Sequence, residues 1–191
     1  MNDPLSATDR QELIDVARAA IEAGLQGAST PPAPDPATCS VALQQPRATF
    51  VTLQIKGALR GCIGTLSARQ PLVEDVAEHA FAAAFHDPRF APLTAAEWRQ
   101  CDFSVSVLSE PEPLDVADEV DLQRRLRPGI DGLMLTDGKQ SATFLPAVWA
   151  DLSTPAAFVR ALKQKAGWSA TYWTPTLRCA RYQVESIPAS G

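Results

Sequence analysis

The sequence predicts an α+β fold, an antiparallel or mixed sheet flanked by helices. Three observations carry this: the extended segments come in hairpins, helical stretches interrupt them irregularly, and no internal repeat or dinucleotide fingerprint imposes a doubly wound order. At 191 residues, 46% hydrophobic and 20% charged, the chain suits one domain, or one domain with a lobe, and can bury a core without staples.

Leu13, Ile14, Ala17, Ala20 and Ile21 recur at helical spacing, and Thr8 with Gln11 is placed for a capping box, so a first amphipathic helix is predicted. Residues 26–46 carry Pro31, Pro32, Pro34, Pro36 and Pro46, whose missing amides make this segment a loop. Val51, Leu53 and Ile55 alternate with Thr52 and Gln54, and Lys56-Gly57 turns the chain into a second strand, Ala58 to Thr65. A period of two then puts Leu59, Gly61 and Ile63 on one face and Arg60, Cys62 and Gly64 on the other.

Pro71 opens the next helix, whose stripe of Leu72, Val73, Val76, Ala77, Ala80, Ala84 and Phe85 ends at Asp87-Pro88. Glu74, Asp75 and Glu78 read as its solvated, dipole-matched face, and His79 and His86 as surface histidines. A short helix from Thr94 to Arg99 leads to a strand from Asp102 to Leu108, with Ser104 and Ser106 on a polar face. A helical patch from Val120 to Leu126 follows, then a hairpin of GIDGLML and Thr143 to Leu145 around Asp137-Gly138. The last elements are a helix opened by Thr154-Pro155 and closed by Gly167, and a strand from about Arg178 to Ile187.

Composition removes several classes of function. The net charge of −5 repels phosphate backbones, and the dense basic patch of Arg124, Arg125 and Arg127 reads as a solvated helix face, so no nucleic-acid partner is expected. No stretch approaches about 18 consecutive apolar residues and the start has no leader pattern, which predicts a cytoplasmic protein with no membrane partner. The four cysteines, Cys39, Cys62, Cys101 and Cys179, show neither CxxC nor Cys/His ligand spacing, so reduced thiols and no metal site are expected. No feature names a cofactor.

Chemistry concentrates in LRGCIGT at 59–65. Gly61 and Gly64 interrupt a strand pattern around Cys62, which means that a backbone or a ligand approaches closely, or that a bulge is present. Arg60, on the predicted face of Cys62, would favour a thiolate there. Cys62 is therefore either a reactive thiol or a small buried hydrophobe. In AAFHDPRFAPLT at 83–94, Asp87 and Arg89 either line a site or serve a helix stop with Phe90 packed beside them. Lys165 in KAGW either complements a helix C-terminus or meets an anion.

Taken together, FVTLQIKGALRGCIGTL, PLVEDV, AAFHDPRFAPLT, DFSVSVLSEPEPL, GIDGLML, ATFLPAVW and KAGW resemble the AMMECR domain family, in prokaryotes component A of the AmmeMemoRadiSam system, from about Phe50 to Glu185. The resemblance implies a single domain over 1–191, with a sheet-centred main lobe, a smaller lobe and the LRGCIG strand lining a cleft between them. It implies no known reaction. The motif residues it carries over are Arg60, Gly61, Cys62, Gly64, Thr65, Asp87, Arg89, Phe90 and Lys165. The family's company implies a Memo-like protein and a radical-SAM protein as pathway partners. Asp131 stands where many relatives have a histidine, and Lys163 where many have a cysteine, so a two-cysteine mechanism is not expected.

Two functional expectations follow. In the first, the protein is an enzyme in which Cys62 is nucleophile or general acid, Arg60 and Arg89 hold an anionic small molecule, and Asp87 orients one of them. In the second, it is a non-catalytic component that binds a small molecule or a partner.

Overall fold

The computed structural model describes residues 5–32 and 34–189, so part of the stretch read for a leader lies outside the described residues. Two compact units divide the chain: one runs up to Leu108 and takes up the segment from Glu185, the other is Ser109–Val184. The first contains α1 (Ala7–Leu25), α2 (Val41–Gln44), β1 (Thr49–Ile55), β2 (Ala58–Gly64), α3 (Leu72–Phe85), α4 (Ala95–Trp98) and β3 (Cys101–Leu108). The second contains β4 (Glu112–Leu114), α5 (Glu119–Arg125), β5 (Gly132–Thr136), β6 (Ser141–Phe144), α6 (Pro155–Lys165) and β7 (Arg178–Tyr182). With β8 (Val184–Pro188) the strands form two four-stranded sheets, ordered β2-β1-β3-β8 and β4-β7-β5-β6. β1 pairs antiparallel with β2 and β3, and β7 with β4 and β5, which is the α+β architecture expected.

Local chemistry explains the elements. Lys56 and Gly57 both take positive φ, 53° and 79°, which gives the hairpin turn the twist its strands need. α6 has Thr154 as N-cap and Pro155 in its first turn. It closes with Trp168 N–H on Lys163 O and Gly167, at φ 82°, on Gln164 O, so the last carbonyls are satisfied. α1 starts two residues earlier than its predicted capping box requires. Ser6 is its N-cap and Asp9, not Gln11, closes the box, while Asp9 also accepts from Ser40 Oγ at 2.6 Å and ties the proline-rich loop to the helix. The strand predicted from Arg178 to Ile187 is two strands, one in each sheet, parted at Gln183, whose main chain exchanges hydrogen bonds with Ser109.

One face of the first sheet packs on helices and the other does not share that core. Val51, Leu53, Phe103, Val105 and Val107 are buried with α1 and α3. The register places Phe50, Thr52 and Gln54 of β1 beside Ser106, Ser104 and Asp102 of β3 on the opposite, polar face.

α3 is buried more widely than its stripe predicted. Asp75 is 2% exposed and His79 9%. Both therefore leave the solvated face assigned to them and meet Thr49 on β1. Thr49 Oγ1 donates to Asp75 at 2.6 Å, and His79 Nδ1 lies 3.0 Å from each of them.

Candidate active site around Cys62

β2 is the outer strand of its sheet, so alternate main-chain groups along it have no strand to pair with. Gly61 decides what meets them. A Cβ there would lie 2.2 Å from the Ala83 carbonyl oxygen, so only glycine lets the end of α3 come this close. Leu93 N–H then donates to Ala84 O at 2.8 Å, folding the segment after α3 back onto the helix end.

That segment closes the strand edge with side chains. Asp87 Oδ2 accepts the Cys62 N–H at 2.8 Å, and Arg89 Nη2 donates to the Cys62 carbonyl at 3.2 Å. Arg89 is bound to Asp87 through Nη2 at 2.7 Å and Nε at 2.9 Å, and its own N–H reaches Asp87 Oδ1. The pair offers Cys62 one acceptor and one donor, as a neighbouring strand would. The Arg89 hydrogen bonds, with those from the Cys62 and Arg89 main chains, hold the Asp87 carboxyl far below the usual carboxylate range against the opposing effect of burial. Arg89 is pushed up chiefly by Asp87, with a smaller contribution from Cys62.

Arg60 does something else. Gln54 pairs with Leu59 and Leu53 with Gly61, so Arg60 is an extra residue in β2, a bulge that breaks the predicted alternation. Leu59 joins the face of Gln54, while Cys62 and Gly64 stay opposite Thr52 and Phe50. The Arg60 guanidinium goes to Glu97 at 2.9 and 3.2 Å and to the Ala91 carbonyl at 2.8 Å, over the Phe90 ring. The expected pairing of Arg60 with the Cys62 thiol is thereby corrected. Glu97, drawn down to about 2 first by Arg60 and then by Thr94, is anionic and fully engaged.

The thiol itself lies on the polar face. Thr52 Oγ1 donates to Cys62 Sγ at 3.3 Å, and Ser104 stands on the far side of Thr52 in register. Ser104 and Ser106 are half-buried, and neither hydroxyl has a partner among the described residues. Burial pushes the other three thiols up, Cys179 to about 11 and Cys39 and Cys101 by less.

The remaining motif residues have roles inside the chain. Gly64 carries the Phe50 ring where a Cβ would be, 2.4 Å from its atoms, and Thr65 N–H donates to Thr49 O at 2.9 Å. Phe90 receives both guanidiniums, Arg60 at 5.6 Å and Arg89 at 5.5 Å from its centroid. Lys165 belongs to the second unit, donating to the Thr143 carbonyl at 3.0 Å over the Phe144 ring. There Asp131 is fully buried and held by Arg127, and Lys163 is fully buried on Glu119, so both departures from the family pattern are structural pairs. Thr52 and Glu97 were not singled out as site residues, although the alternation of β1 and a Thr-x-x-Glu capping box at Thr94 were signals for them.

Known proteins bear on this arrangement. The protein-family model described as AMMECR1 matches residues 14–187. A protein of Methanothermobacter thermautotrophicus is 36% identical over 190 residues, covering 98% of each chain. One of Thermofilum pendens is 33% identical, covering 95% of this chain and 90% of its own. The crystal structure of an uncharacterized protein from Pyrococcus horikoshii superposes with a TM-score of 0.78 at 30% identity, covering 91% of this chain and 88% of that one.

Proposed function

The chain belongs to the AMMECR1 family, and from that premise we propose that it works through the Cys62 thiol, presented on the polar face of the first sheet to a small ligand. The carrying observation is that both main-chain groups of Cys62 are held by the buried Asp87 and its Arg89 partner while the residue is only half-buried and its sulfur meets the Thr52 hydroxyl. Asp87 and Arg89 act as positioning residues. Thr52 directs its hydroxyl hydrogen at the sulfur and so helps to fix where the sulfur points. Ser104, Ser106 and the exposed part of Arg89 would receive the polar or anionic part of the ligand.

A second reading has its own support. Neither histidine stands beside the thiol: His79 is buried with Asp75 and Thr49 on the helix side of the sheet, and His86 is exposed at the end of α3. A thiol with no adjacent base fits a component that binds a small molecule or a partner without turnover, working with Memo-like and radical-SAM proteins. No helix among the described residues is long and apolar enough to cross a membrane.

An activated ester separates the readings. In p-nitrophenyl acetate the Cys62 thiolate would attack the acetyl carbon, the carbon–oxygen bond would break, and p-nitrophenolate would leave with the electron pair. We expect a stoichiometric burst with the acetyl group on the Cys62 peptide, absent in Cys62→Ser. Continued release after the burst favours the enzyme, and a burst alone the binding component. No acetyl group on Cys62 would refute the thiol reading in both forms.

A further inference from the structure

Away from Cys62, the first unit carries a hollow of about 300 Å³ between α1 and the end of β8, walled by Arg10, Gln11, Ile14, Arg18, Ile187 and Pro188. Its size is at the low end for small-molecule sites. Ile14 and Ile187, 4% and 5% exposed, supply apolar wall. Arg10, Ile14 and Arg18 follow one another at helical spacing along one row of α1.

Most of the polar groups here are already satisfied. Arg10 is bound to Glu185 at 2.6 Å and Gln11 to Asp15 at 2.9 Å. Arg18 is the exception: its guanidinium lies 5.4 Å from the centroid of Phe103 and has no carboxylate partner among the described residues. A cation–π contact with the ring uses none of the guanidinium N–H groups, so its fork of donors is available to a ligand. A half-buried positive charge with no carboxylate on it, set beside apolar wall, calls for an anion with a hydrocarbon body.

We propose that this hollow binds a small organic carboxylate, its two oxygens on the Arg18 guanidinium and its hydrocarbon part against Ile14, Ile187 and Pro188. The match is chemical on both counts, since carboxylate geometry suits the guanidinium fork and a short aliphatic or aromatic body suits the wall. Inorganic phosphate satisfies only the first requirement and an alcohol of the same length only the second. The site is independent of the Cys62 chemistry.

The test is a titration of the full chain with sodium hexanoate, following the Ile14 and Ile187 methyl resonances and the Arg18 side chain by NMR. We expect saturable shifts at all three with a dissociation constant on the order of 1 mM. 1-Hexanol, phosphate and the Arg18→Gln protein should each bind about tenfold more weakly or worse. Absence of saturable shifts, equal binding of hexanol or phosphate, or hexanoate binding retained in Arg18→Gln would each overturn the proposal. Should Arg18→Gln fold poorly, the hexanoate and hexanol comparison on the unaltered protein decides alone.

Discussion

Replacing Asp87 by Ala is expected to destabilise the protein by about 3 kcal/mol, measured by urea unfolding at neutral pH. The buried carboxylate accepts the Cys62 N–H, the Arg89 N–H and two guanidinium contacts, so its removal orphans main-chain groups at the strand edge as well as a charge. Arg89 is 54% exposed, so its freed guanidinium stays hydrated and the cost stays below that of a fully buried pair. The pH dependence has a definite sign. The folded carboxyl titrates below its ordinary value of 3.8, so the unfolded chain binds the proton more readily. The stability due to Asp87 is then fully present above the unfolded value and is lost as pH falls through the folded one. The difference between the two proteins should be constant from neutrality to about pH 5 and shrink below about pH 4. A change under about 1 kcal/mol, or a difference that grows on acidification, would show that Asp87 does not hold the strand edge.

Gly61→Ala should cost about 3 kcal/mol or more, because the obstacle is the Ala83 carbonyl oxygen, which is backbone and cannot swing aside. Accommodating a methyl group means moving the last turn of α3, and Asp87 moves with it, so the Cys62 N–H should lose hydrogen-exchange protection in the same variant. Gly57→Ala is the control. Its φ is 79° and nothing lies within 4 Å of the added carbon, so only the backbone penalty of about 1 kcal/mol applies. Equal costs at the two glycines would mean that the close approach of helix to strand is not what Gly61 provides.

Both effects arise from features that were only partly legible in the sequence. The hairpin and α3 were readable because their signals are local: alternation, a two-residue turn and a wide apolar stripe bounded by Pro71 and Asp87-Pro88. Gly61 and Gly64 announced a close approach or a bulge, and the structure holds both, with the Ala83 carbonyl against Gly61 and the bulge at Arg60. Which residue was the extra one could not be read, because a bulge adds one residue without changing composition or period. Arg60 and Cys62 were therefore placed on one face.

The family motifs put Asp87 and Cys62 in one expected site, with Asp87 orienting an arginine, and gave no sign that its carboxylate would take the Cys62 main chain. Asp87 reaches the main chain because β2 is an edge strand, and edge position depends on the whole strand order rather than on the strand's own residues. Asp75 and His79 looked like surface groups for a similar reason. Their partner Thr49 lies 26 and 30 residues away and reaches them only once α3 is laid on β1.

The most direct test of a thiol made available at Cys62 is the rate of iodoacetamide alkylation at each cysteine of the folded protein near neutral pH, read by peptide mass spectrometry. Cys62 should label first, ahead of Cys39 and Cys101, and about tenfold or more ahead of Cys179, whose thiol burial raises to about 11. Labelling of Cys62 no faster than Cys179, or only after unfolding, would make it a packed residue and contradict the reading of this site.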